Sequence, residues 1–276
     1  MFDKEAIERL TEAGSIRAAA NALTDQVDTL VALPNHFNIH DVEKYLTQRR
    51  RACGTMATSV IADFAGYVKN HADIGATVFI NQEEMAAVAV LNLGTPDVPG
   101  HADNRAKLQL KKTASYKAML AATTGAITQV KAAEFFEDCP DALKFFRPGE
   151  DGLPVEVTPA KAIAAVRKIT IEALARMGSE QQQLSATRTA FESVSVKNDD
   201  PIPTTIHFTC APYHGLATRQ FVLRLSISTG HKEPTILLRV VNTEKHDEEM
   251  AVELANLVQG AITEVPVLIG GYSAGA

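Results

Sequence analysis

Residues 204–228 read TTIHFTCAPYHGLATRQFVLRLSIS. In the first half Ile206, Phe208 and Cys210 alternate with Thr205, His207 and Thr209; in the second, Phe221, Leu223, Leu225 and Ile227 alternate with Val222, Arg224, Ser226 and Ser228. A period of two places alternate side chains on opposite faces of a strand, so each run has one apolar and one polar face. A third run, Thr235 to Val241, carries Arg239 among aliphatics, and Gln182 to Val196 is read as a fourth strand. The expectation is an antiparallel sheet with one apolar face. A last helix, read as capped by Thr243, aligns Met250, Leu254, Leu257, Val258 and Ala261 in a stripe expected to cover that face.

Upstream, Ala76 to Ile80 and Met85 to Leu93 flank the polar Asn81-Gln82-Glu83-Glu84 and predict a hairpin, with 105–112 (RAKLQLKK) as a third strand. Ser59 to Lys69 and Ser115 to Cys139 have helical spacing, the latter in two pieces broken near Gly125. The first 30 residues read as two short helices separated at Gly14-Ser15. Thr158-Pro159 opens a further helix with Ile163, Val166, Thr170, Leu174 and Met177 on one face and Gly178 as its stop. Helices and strands come in separate blocks, so the fold class is α+β: antiparallel sheets, one at the N-terminal hairpin and a four-stranded one later, packed with amphipathic helices. Residues 140–159, rich in Pro, Gly and acid, mark the expected boundary. The predicted organisation is a helical arm at 1–33, an α+β region at 34–147, a second at 153–270, and a flexible tail at 271–276.

The 276 residues carry 27 Lys and Arg against 33 Asp and Glu, a formal charge of -6. That balance excludes a uniformly basic nucleic-acid coat, though not a local basic surface. No apolar run approaches the roughly 18 to 20 residues of a membrane span, and Met1-Phe2-Asp3-Lys4-Glu5 lacks the features of a signal peptide. Cys53, Cys139 and Cys210 are too few and too dispersed for a disulfide framework, which points to the reducing cytoplasm.

Catalytic signatures are weak. Gly271-Tyr272-Ser273-Ala274-Gly275 matches the nucleophile-elbow pattern, but no acid or histidine follows it in this sequence. The eight histidines form no ligand motif, and His36 and His40 are separated by a loop-like stretch. Glu134, Glu137, Asp138 and Asp141 could gather at a helix end, yet a solvated or salt-bridged face explains them more simply. Ala13 to Leu23 faintly resembles the opening helices of a helix-turn-helix, but Asp25 and Asp28 would repel phosphate where a recognition helix should follow. Neither a phosphate-binding loop nor a dinucleotide motif is present. The expectation is a non-enzyme with no cofactor and no metal.

The distribution of charge is more informative. Residues 105–117 hold Arg105, Lys107, Lys111, Lys112 and Lys117 beside Tyr116, with no acid. His207, Arg224 and Arg239 fall on the polar side of the late strands. Cations near an aromatic ring suit a surface that tracks phosphates and stacks bases, and these nine residues are the candidate nucleic-acid contacts. A solvated face that keeps an edge strand from aggregating is the simpler alternative. Acid gathers instead at 244–254, where Glu244, Asp247, Glu248, Glu249 and Glu253 oppose Lys245, so complementary patches could also pair copies of the chain.

Several segments, in order, resemble the YfdQ-like family of tailed-phage and prophage proteins: Thr77-Val78-Phe79-Ile80 with Ala89-Val90-Leu91, HADNRAK at 101–107, QVKAAEFFED at 129–138, Pro203 to Leu225, Leu237 to Val241, and Pro266 to Gly271. The resemblance runs from about residue 30 onward. Where that family carries a tryptophan-containing stretch after its basic segment, this chain has Ser115-Tyr116. The resemblance implies no activity; it implies an accessory protein of the infected bacterial cytoplasm. The resulting expectation is a non-enzymatic, homo-oligomeric accessory protein able to bind nucleic acid. The alternatives are an effector that inhibits or titrates a host defence protein, or a self-assembling structural component.

Overall fold

A computed structural model describes residues 3–25, 47–48, 51–149, 151–169, 202–228 and 235–273. The chain divides into two compact units, Met1–Ala52 and Cys53–Ala276. In the first, α1 (Lys4–Asp25) is continuous, so the expected break at Gly14-Ser15 does not occur. A glycine inside a helix costs only about 1 kcal/mol, too little to interrupt 22 residues. His36, His40 and the expected recognition segment with Asp28 lie outside the described residues.

The second unit is built on two sheets. The first has the order β1-β4-β3-β2-β11, formed by β1 (Gly54–Thr58), β2 (Thr77–Asn81), β3 (Ala86–Val90), β4 (Asn104–Gln109) and β11 (Val267–Ile269). Its centre is antiparallel, while β1 on β4 and β11 on β2 pair in parallel. Val78, Ile80, Ala87, Ala89, Ala106 and Leu108 are buried on one face, against α2 (Ile61–His71), whose Phe64, Ala65 and Val68 make the matching stripe. The turn before β2 and the loop after β3 approach so closely that glycine is required at both contacts. A Cβ on Gly75 would lie 1.8 Å from the Gly94 carbonyl oxygen, and one on Gly94 would lie 2.2 Å from the Gly100 nitrogen.

The second sheet is antiparallel throughout, in the order β5-β10-β9-β8-β6-β7. Its strands are β5 (Ala126–Thr128), β6 (Leu143–Pro148), β7 (Pro154–Val157), β8 (Thr205–Cys210), β9 (Arg219–Ser228) and β10 (Thr235–Val240). The period-two residues behave as their alternation requires: Ile206, Phe208, Cys210, Phe221, Leu223, Leu225, Ile236 and Leu238 are buried, with Leu143 and Phe145 beside them. This face is covered by α3 (Ala114–Thr123), α4 (Gln129–Asp138) and α5 (Pro159–Arg167). Thr113 and Thr128 cap α3 and α4 through their hydroxyls, and Pro159 starts α5 at a position whose amide needs no helical partner. Thr158 precedes it without a side-chain cap bond.

Several expectations change here. The Pro-, Gly- and acid-rich stretch expected as a domain boundary is the turn of the β6–β7 hairpin, closed by Gly149 N–H to the Leu153 carbonyl at 2.7 Å and Gly152 N–H to the Gly149 carbonyl at 3.0 Å. Turn composition marks a reversal of the chain equally well inside a sheet and between domains. The proposed regions 34–147 and 153–270 therefore interleave: β5 and β6 join β8 to β10, and β11 returns to β2. Among the described residues the late sheet has six strands; the expected strand at Gln182 to Val196, and the continuation of the helix to Met177 and Gly178, lie outside them. Finally, α6 (Thr243–Ala261) does not cover the late sheet as its main partner but packs on α2 and β11. Asn242, in the left-handed region at φ 56°, is its cap residue, with Thr243 the first helical position.

Candidate nucleic-acid interface

The outer face of the six-stranded sheet follows from its register. Arg239 pairs directly with Arg224, Arg224 with Thr205, Thr205 with Phe146, and Phe146 with Glu156. Residues opposite one another share a face, as do residues two positions along, so His207 on β8 and Lys144 on β6, themselves partners, lie on it too. Arg224, Arg239 and Lys144 are exposed, and Phe146 and His207 half-buried. The Phe146 and His207 rings meet at 4.5 Å between centroids. Among the described residues none of the three exposed cations has a carboxylate partner. Like charges directly opposite one another in a ladder destabilise it. The face therefore holds four basic groups across four neighbouring strands, roughly 15 Å at the usual strand spacing, with an aromatic pair among them.

The nine candidate contacts are not brought together. Arg224, Arg239 and His207 lie on this face. Arg105 and Lys107, from β4, lie on the outer face of the other sheet, where they pair with Val90 and Val88. Lys111 and Lys112 stand in the connection after β4, where Lys112 bridges Tyr213 and the Lys111 carbonyl accepts from the His214 amide at 3.0 Å. Lys117 is exposed on α3. Tyr116 is a correction: only 5 % exposed, it packs on Tyr213 at 5.9 Å and Phe221 at 5.4 Å and cannot stack on a base. Five cations adjacent in sequence spread over three surfaces because the chain changes from strand to connection to helix within them. Lys144 and Phe146 were missed, because the composition of 140–159 suggested a linker. The signal was the buried alternation of Leu143 and Phe145 with Lys144 and Phe146.

Burial sets the ionisation of the interior. It is the main reason that the Tyr116 phenol is pushed up to about 12, with the nearby Asp247 carboxylate adding to it, and it raises Tyr213 in the same way. Cys210 is pushed up to about 11 and Cys139 is raised, in each case chiefly by desolvation, so both thiols stay protonated and weakly nucleophilic at neutral pH. Arg219, 16 % exposed at its side chain, pairs with Glu253 and lies 3.9 Å from Glu249, fastening the start of β9 to α6. The acidic group expected near the end of α4 is exposed, and its Glu137 pairs with Arg167 at 2.7 Å. Among the described residues no three His, Cys, Asp or Glu side chains gather as a metal site requires, and no helix is long and apolar enough to cross a membrane.

A family model described as an uncharacterised conserved protein, DUF2303, matches residues 3–272. The chain belongs to that family. No curated protein and no solved structure matches this DUF2303 member. The matched span takes in both faces described above, α1 and Tyr272 alike.

Proposed function

We propose that this DUF2303 chain is a non-enzymatic nucleic-acid-binding protein that takes single strands on the outer face of its six-stranded sheet. The observation that carries the reading is the direct cross-strand pair Arg224–Arg239 without a counter-charge among the described residues. Such a pair weakens the sheet in isolation and is relieved by an external anion. Lys144 adds a third phosphate contact, and the Phe146–His207 rings offer a π surface, the combination that binds single strands with little sequence preference. The resemblance to YfdQ-like phage proteins supports a setting in phage DNA transactions.

The test is anisotropy of a fluorescein-labelled 15-nucleotide oligothymidine against salt concentration. Arg224→Ala/Arg239→Ala should weaken binding by about tenfold and flatten the log affinity against log salt slope by about 0.7 per lost phosphate contact. Absence of binding at low salt, or affinity unchanged in the double variant, would overturn the reading.

A further inference from the structure

The outer face of the five-stranded sheet holds a second set of cations arranged differently. One cross-strand row runs Ala57, Lys107, Val88, Phe79, Leu268, and the neighbouring row carries Arg105 beside Val90. The Arg105 Nε donates to the Ala102 carbonyl at 2.7 Å, which fixes the plane of the guanidinium. Its terminal NH2 groups have no acceptor among the described residues, and neither Arg105 nor Lys107 has a carboxylate partner there. A fixed guanidinium fork with free donors is pre-organised for phosphate.

Between this fork and Phe79 lies a ring supplied by the chain itself. After β11, Gly270 donates to the Ile80 carbonyl at 2.9 Å and turns at φ 148°, a conformation that favours glycine. Gly271 follows, and Tyr272 lies on the sheet, its ring 5.0 Å from Phe79 at 28° and 5.8 Å from the Arg105 guanidinium carbon. The tail segment expected to be flexible thus has a packed residue. A Cβ on either glycine would meet nothing within 4 Å, so close packing does not require them. The Tyr272 hydroxyl has no hydrogen-bond partner among the described residues. The ring is held by one stacking contact and one cation contact, the two contacts a flat anionic ligand would make at the same place.

We infer that Phe79, Arg105 and Lys107 form a site for a nucleoside phosphate, free or within a strand, and that Tyr272 is its internal occupant. On binding, the base takes the place of the Tyr272 ring on Phe79, the phosphate takes the Arg105 fork and Lys107, and the Gly270-Gly271 hinge carries Tyr272 away. The site is separate from the Arg224–Arg239 face and does not rest on that reading.

The experiment uses the full chain with Arg224 and Arg239 already changed to alanine, so that the other face is silent. Probes are dTMP, followed by ligand-observed NMR, and a fluorescein-labelled 10-nucleotide oligothymidine. Removing an internal competitor raises apparent affinity by the fraction of sites it blocked, so Tyr272→Ala should tighten binding about fivefold. Tyr272→Phe should behave as the parent, and adding Arg105→Ala should cancel the gain. A gain with both probes identifies a free-nucleotide site; a gain with the oligonucleotide alone identifies a strand-bound unit. Unchanged or weaker binding of both probes in Tyr272→Ala, or a gain that survives Arg105→Ala, overturns the inference. So does loss of cooperative melting in Tyr272→Ala, because an occupant that can leave cannot be holding the fold.

Discussion

The two sheets of the Cys53–Ala276 unit agree on their inner faces and differ on their outer ones. Inside, both obey the same rule: alternate residues are apolar and buried, and helices cover them. Outside, the six-stranded sheet opposes two arginines across a ladder with no carboxylate partner among the described residues, whereas the five-stranded sheet lays Tyr272 over Phe79 and Arg105. Burial dictates one face of each sheet and leaves much of the other open to carry chemistry, although Val90 opposite Arg105 is itself buried. A cationic pair without a carboxylate partner among the described residues, and a tyrosine ring laid between a phenylalanine and an arginine, are two outcomes of that freedom.

The equivalence of the inner faces is the first thing to break. Phe208→Ala and Ile80→Ala, each removing a side chain with no exposure, should cost about 3 to 5 and 2 to 5 kcal/mol in denaturant melts. Phe79→Ala, half-exposed on an outer face, should cost about 1 kcal/mol, roughly half the transfer value of a buried side chain. If Ile80→Ala cost no more than Phe79→Ala, the five-stranded sheet would lack a true inner face.

The link between α6 and the late sheet comes next. Arg219→Ala leaves the partly buried Glu253 without its cation, and the exposed Glu249 without a neighbour at 3.9 Å. The expected loss is about 2 kcal/mol, below that of a fully buried pair because water still reaches the carboxylates. Arg219→Lys should recover only part, since a point charge replaces a fork. An unchanged melting curve in Arg219→Ala would show that α6 is held by its contacts with α2 and β11 alone.

Alkaline pH probes the junction where Tyr116 sits. Its folded pKa of about 12 exceeds the ordinary 10.0, so the folded state retains the proton more tightly than the unfolded chain. The contribution is complete below pH 10 and is lost as pH rises from 10 to 12, on the order of 2 kcal/mol. Tyr116→Phe should flatten the fall in stability across that window. Arg239→Glu, which turns a like-charge pair into an opposite one, should raise stability at low salt by about 0.2 to 1 kcal/mol while weakening oligonucleotide binding. Arg105→Glu should give no such gain, because Arg105 opposes Val90 and no cation.

Most of the strands could be read from the chain because period-two alternation is a local property that survives whatever the strand pairs with. The Ala76–Leu93 hairpin and the runs at 105–112, 205–210, 219–228 and 235–240 show this. The strands carrying Lys144 and Val155 could not, because a Gly- and Pro-rich turn looks the same within a sheet and between domains. The candidate site was half legible. Arg224 and Arg239 could be placed on the polar side of their own strands, but their direct opposition depends on register between segments about 15 positions apart. Tyr116 departs from the exposure that its five neighbouring cations imply, because the α3 face that carries it is turned toward Phe221 and Tyr213.

Which residues alternate, which faces are apolar and where charge is concentrated follow from the chain alone, since those depend on neighbours along it. Tertiary structure alone decided that β5 and β6 complete the late sheet, that β11 returns to β2, and that Tyr272 rests on Phe79 and Arg105. Those contacts are made between segments separated by tens to nearly two hundred residues, and long-range pairing is selected by the whole set of buried surfaces competing for partners rather than by any local pattern.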